Sequence, residues 1–229
     1  MAFSLCNSCP SLLRRLTDKK KEAIVQAAVQ EFRRLGYDAT SMDAIAASAG
    51  VSKRTVYNHF PGKEDLFAAI LQRLWETVMV NDRFDFIAPQ TLASQLRQYL
   101  QQKIALFSDP AFVDLLRVIV AATIHAPERA RGMVEQLKQS EPVIVRWIRD
   151  AQASGRLLAE YEPVELGDLL MGQVKAVALW PQIMMGQPPL DELRRQRLAE
   201  MAIRQFLGTF SQQPDAELQG LRGDTLKKP

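Results

Sequence analysis

The densest run of chemically capable side chains lies between positions 53 and 59. Its chemistry is recognition rather than bond making. Lys53, Arg54, Tyr57, Asn58 and His59 place two cations, a phenol, an amide and an imidazole within seven residues. These groups suit phosphate oxygens and base edges. Val56 and Phe60, four apart, leave the segment one apolar stripe for a core. The competing chemistry is weaker. Cys6-Asn7-Ser8-Cys9 has the spacing of a redox or metal pair, but no second pair exists, and His59 and His125 are the two histidines of the chain. No paired catalytic carboxylates, phosphate loop or nucleophile elbow accompany them. The expectation is therefore no enzyme, no catalytic residue, no metal and no cofactor. A thiol sensor or oxidoreductase built on Cys6 and Cys9 stands as the alternative from another class.

Presenting residues 53–59 to a partner requires two short helices and a tight turn. Met42, Ile45, Ala46 and Ala49 form one stripe at helical spacing, and the alanines let a second helix cross closely. Gly50 supplies the positive φ that a turn needs. Ser52 suits the N-cap of the next helix, with Val51 and Val56 as a hydrophobic staple. Together, residues 40–60 read as a helix-turn-helix whose second helix is sized for the major groove. Ser52 and Thr55, at the start of that helix, join the DNA-facing set. Thr40 is expected to cap the first of the two helices, where its hydroxyl and free amides can hold a phosphate. A helix over 18–35 precedes the motif, with Ile24, Ala28, Phe32 and Leu35 as its core stripe. It opens with Lys19, Lys20 and Lys21, three cations that oppose the helix dipole unless a phosphate reverses the sign. Lys63 raises the same point at the start of the following helix. Arg14 and Arg15 are expected to form an arm reaching along the DNA.

Charge agrees with this placement. Residues 1–63 carry ten lysines or arginines against five aspartates or glutamates, whereas the remainder carries nineteen against twenty-one. A basic head on a slightly acidic body suits a polyanion partner for the head alone. At 229 residues and 47% hydrophobic composition, the chain can bury a small domain and a larger one. Neither a signal peptide nor a membrane-spanning apolar run is evident, so a cytoplasmic protein without a membrane partner is expected. Alternating strand patterns are absent, and the fold class is all-α. Further helices are expected over 63–80, 91–107, 110–125, 127–155, 163–184 and 190–210, with Pro142 kinking or splitting the fourth of these. The domain expectation is a disordered lead over 1–16, a DNA-binding domain over 17–64, a helical body over 65–212, and a polar tail over 213–229.

Residues 40–60, followed by Pro61-Gly62-Lys63-Glu64-Asp65-Leu66-Phe67, resemble the DNA-binding domain of the TetR family of bacterial regulators. The resemblance covers about fifty residues, 20–70. It implies an all-α homodimer with an N-terminal three-helix DNA-binding domain and a helical ligand-binding and dimerisation domain. It further implies a double-stranded DNA operator as partner, and contacts from Thr40, Lys53, Arg54, Tyr57, Asn58, His59 and Lys63. Repression, relieved by a small effector, is the family-level expectation; an effector-independent DNA binder is the alternative. The body offers Trp75, Met79, Phe107 and Phe112 for an effector pocket, with His125, Trp147, Trp180 and Met184 beside them. That set is apolar and aromatic, so the effector is expected to be apolar or amphipathic. Gly172 and Ala176 on one helix, and Leu198, Met201, Ala202 and Phe206 on another, are the expected dimer interface. The helix starting at Lys63 and running to Trp75 and Met79 would belong to both domains as a rigid connector.

Overall fold

The computed structural model describes residues 9–80, 83–124, 126–132, 135 and 141–212. Cys6, His125, and the tail beyond 212 lie outside them, as do the side chains of Arg14, Arg15 and Met79. The described chain is helical and contains no strand; Leu157 and Ser211 form one isolated bridge.

The first four helices are α1 (Cys9–Leu35), α2 (Met42–Ser48), α3 (Lys53–His59) and α4 (Lys63–Val80). Helix α1 starts nine residues earlier than the lysines suggested, so residues 9–16 are helical rather than a disordered lead. Leu12, Leu13, Arg14, Arg15 and Leu16 are good helix formers, and Pro10 falls in the first turn, where a missing N–H costs nothing. Ile24 and Ala28 are fully buried and Phe32 nearly so, whereas Leu35 is 41% exposed, which takes it out of the expected core stripe. The helix ends beside it at Gly36, which adopts φ +82°.

The remaining helices are α5 (Leu92–Phe107), α6 (Pro110–Thr123), α7 (Val143–Ala153), α8 (Pro163–Ala178), α9 (Trp180–Met185) and α10 (Glu192–Phe210), with a 3-10 turn at Pro127–Ala130. Pro142 is the N-cap of α7, so the helix expected over 127–155 is indeed divided there. The helix expected over 163–184 is also divided, between α8 and α9. Pro181 lies in the first turn of α9 and lacks the N–H that a continuous helix would use.

Two compact units result. Of the described residues, one takes in those up to Thr77 and those between Asp114 and Met133; the other holds those between Val78 and Val113 and those after Val134. The sequence boundary at 64 falls instead within the first turn of α4. In the first unit, Ile24, Ile45, Val56, Leu66 and Ile70 are fully buried and bring α1 to α4 onto one core. In the second, α5 packs on α10, and α8 packs on α7, α9 and α10. Gly167 permits the α7–α8 approach, since a Cβ there would lie 3.3 Å from Val145 Cγ2.

Candidate nucleic-acid interface

The recognition segment is fixed at both ends by its own sequence. Ser41 Oγ accepts from Ala44 N at 3.1 Å and caps α2. Gly50 adopts φ +65°, and the amides of Gly50 and Val51 return to the carbonyls of Ala47 and Ala46. Ser52 Oγ then accepts from Thr55 N at 3.1 Å and lies 2.8 Å from Thr55 Oγ1. Of the two ends of the staple, Val56 is buried and Val51 partly so. Val56 and Phe60 point into the core, leaving Lys53, Arg54, Tyr57 and Asn58 exposed and His59 half-buried. Tyr57 is 49% exposed, unusual for an aromatic ring with a core beside it. Lys19 and Lys20 are exposed on α1. One rigid surface thus carries cations, hydrogen-bond donors and a planar ring at a helix start.

Two expected contacts are used within the protein. Thr40 is not the cap of α2, because Ser41 holds that position. Its side chain is 2% exposed and its hydroxyl donates to Gly36 O at 2.7 Å and Glu31 O at 3.2 Å. Lys63 Nζ donates to the carbonyls of Tyr37, Asp38 and Thr40 at 2.8, 3.0 and 3.0 Å, and lies 4.8 Å from the centre of the Tyr37 ring. Both side chains shape the α1–α2 turn. Lys53 is exposed but not free: its ammonium is 2.5 Å from Asp43 Oδ2 on α2. Asp43 went unnoticed in the sequence because the pairing spans the turn, ten positions apart.

Comparison with known proteins now bears on this surface. Residues 24–70 match the tetR family of bacterial regulatory proteins, and residues 94–212 match the C-terminal domain of AefR-like transcriptional repressors. A TetR family transcriptional regulator from Pseudomonas syringae pv. tomato is 40% identical, with a TM-score of 0.75 over 85% of this chain and 98% of that one. The chain belongs to the TetR family. Among its relatives, the regulator RutR of Escherichia coli K12 is 27% identical over 158 residues, 66% of this chain and 70% of RutR. A flavonoid-responsive regulator, FrrA, is 28% identical, with a TM-score of 0.66 over 86% of this chain and 99% of FrrA. These relatives are transcriptional regulators rather than enzymes. Among the described residues, no helix is long and apolar enough to cross a membrane, and no group of three His, Cys, Asp or Glu could hold a metal.

The residues expected to form effector and dimer surfaces in the second half divide. Phe107 and Phe112 are buried with ring centres 6.1 Å apart, and Trp75 is half-buried. Trp147 is fully buried and donates Nε1–H to Gln95 Oε1 at 3.0 Å, with Phe84 stacked on it at 5.2 Å. Trp180 and Met184 are instead exposed, at 43% and 65%, on α9, whose buried residue is Gln182. Met79 and His125 fall outside the described side chains. On the expected interface, Gly172, Ala176 and Met201 are exposed and Leu198 is half-exposed. Ala202 and Phe206 are buried within the single chain, so they serve its own core rather than a partner. Sequence reading also missed the buried polar groups of this half. Gln95 is 2% exposed and Gln182 5%, each serving carbonyls that only the fold assembles. Lys103 is 8% exposed, with its ammonium 5.4 Å from the Tyr99 ring one turn away on α5. That i, i+4 pairing was the available signal.

Proposed function

We propose that this TetR-family regulator is a homodimeric repressor whose two α3 helices read a pseudo-palindromic operator and are released by a small apolar or amphipathic effector. The functional division is a DNA-binding head over 17–64 and an effector and dimerisation body over 65–212. The observation that carries the DNA part is α3 itself: a capped seven-residue helix with a buried Val56 and an outward set of Lys53, Arg54, Tyr57 and Asn58. Lys19 and Lys20 add phosphate contacts and His59 a contact at the helix end. Ser52, Thr55, Thr40 and Lys63 act mainly by holding backbone in place. Repression is supported by the likeness of residues 94–212 to AefR-like repressors, and effector response by the likeness to FrrA.

Selection of bound DNA from a random pool tests this reading. The expected product is a two-fold site with half-site centres ~34–36 Å apart, one helical turn. Against it, Lys53→Ala and Tyr57→Ala each weaken binding by ~1–3 kcal/mol. Lys20→Ala reduces the slope of log affinity against log salt by about one. Full affinity in both α3 variants sinks the assignment. A Cys6→Ser, Cys9→Ser protein with unchanged operator and effector binding separates this function from a thiol sensor.

A further inference from the structure

A group far along the chain holds the turn that leads into the helix-turn-helix. Arg129 lies in the 3-10 turn after α6, about seventy positions beyond α3, yet in the same compact unit. Its guanidinium makes three engagements. Cζ lies 4.5 Å from the centre of the Tyr37 ring, Nη2 is 2.9 Å from Asp38 Oδ1, and Nη1 donates to Ala122 O at 3.0 Å. Arg129 therefore joins the last turn of α6 to the α1–α2 turn. The planar guanidinium lays its face on the ring while its edge sends N–H groups to two separate acceptors, a preorganised fork that a lysine ammonium at this position reproduces only in part.

Tyr37 is the piece that makes this matter for recognition. The residue is 8% exposed and its ring packs on Phe32 of α1 at 5.1 Å and Phe67 of α4 at 5.3 Å. It carries a second cation, Lys63, whose ammonium also gathers the carbonyls of residues 37, 38 and 40. Thr40 closes the same turn onto Gly36. Ser41, the cap of α2, follows directly, and α2 packs on α3. The direction in which α2 and α3 leave α1 is thus set at Tyr37, and Arg129 is the one of its cations supplied from outside residues 1–77. A second link runs in parallel, Arg33 of α1 to Asp114 of α6. Helix α6 begins in the other compact unit and enters this one at Asp114.

Resting on the operator-binding reading above, we propose that Arg129 is a positioning residue for operator binding: it fixes the α1–α2 turn through Tyr37 and Asp38 without touching DNA. The ring contact outweighs the ion pair. A cation against a largely desolvated ring is the stronger interaction, whereas the Asp38 side chain is 81% exposed and its pair is screened.

Three full-length variants, Arg129→Ala, Arg129→Lys and Asp38→Asn, decide it against an operator selected with the wild type. Arg129→Ala is expected to weaken operator binding about 10-fold, with Arg129→Lys intermediate and Asp38→Asn within about 3-fold. The salt slope stays at its wild-type value in all three, because no phosphate contact is lost. Amide hydrogen exchange quickens over residues 36–44 in Arg129→Ala. Wild-type affinity in Arg129→Ala, or exchange unchanged over that segment, overturns the proposal. So does a slope reduced by about one, which would make Arg129 a phosphate ligand. If Arg129→Ala does not fold, Arg129→Lys carries the test: weaker binding at unchanged slope supports the proposal, and wild-type binding overturns it. A wild type that selects no DNA fails the operator reading itself, a result distinct from any of these.

Discussion

Gly50 connects α2 to α3 at φ +65°, and a Cβ there would meet nothing within 4 Å. The cost of Gly50→Ala is therefore that of the backbone alone, ~1–2 kcal/mol, readable by denaturant unfolding. A much larger loss would mean that the turn makes contacts the single chain does not show. Gly50 and the Ser52 cap were legible in the sequence because their partners lie within five residues. Thr40 was not, because the carbonyls of Gly36 and Glu31 reach its hydroxyl only once the turn has folded. Tyr37 gives a prediction in pH. Burial of the ring, reinforced by the Glu64 carboxylate, holds its phenol pKa above the ordinary 10.0. The folded state then keeps a proton that the unfolded chain has lost. Its contribution is fully present below pH 10.0 and falls as pH rises through the higher folded value. Urea unfolding across that range should show wild type losing more stability than Tyr37→Phe, and parallel curves would refute it.

Helices were read correctly where punctuation was local and misread where it was not. Pro142 announced a break, and α7 starts after it. Pro181 announced one just as plainly, but the surrounding apolar run of 163–184 masked it, and with it the exposure of Trp180 and Met184. The N-cap Asp191, whose Oδ1 accepts from Arg194 N at 2.8 Å, places the start of α10. What no periodicity could show is how elements are tied by one buried side chain. Gln95 on α5 accepts from Trp147 Nε1 on α7 and from Ile87 N, and donates to the carbonyls of Ile87 and Gln90. Gln95→Leu fills similar space but leaves the buried Trp147 Nε1–H and the part-buried Ile87 N–H without this partner, while the Ile87 and Gln90 carbonyls keep Gln90 N and Arg156 Nη1. The expected loss is about 3 kcal/mol, since each orphaned group costs ~1–3 and the segment near Ile87 relaxes partly toward water. Thermal unfolding with Trp147 fluorescence as the probe measures it. A loss below about 1 kcal/mol would show that the network is not what holds α5, α7 and the preceding segment together.

For the molecule as a whole, the proposed reading of two half-sites requires two copies, and we propose the outward face of α8 as the surface that joins them. Leu169, Gly172 and Ala176 are exposed there at spacings of three and four, and a Cβ on Gly172 would meet nothing within 4 Å. Met201 on α10 is 67% exposed, while its neighbour Ala202 faces inward. Large and small apolar side chains left open on two packed helices suit close approach by the same face of a second copy. Ala176→Arg distinguishes this face from the core. In a single chain the new guanidinium extends into water and the fold tolerates it. Across a two-fold interface the substitution buries an unpaired charge against its own symmetry mate, at a cost of ~3–5 kcal/mol. Sedimentation should therefore show Ala176→Arg as a folded monomer at concentrations where the wild type is a dimer. Its operator affinity should fall to that of a single half-site, although α3 is untouched. A variant that remains dimeric moves the interface off α8; a monomer that keeps full operator affinity removes dimerisation from recognition altogether.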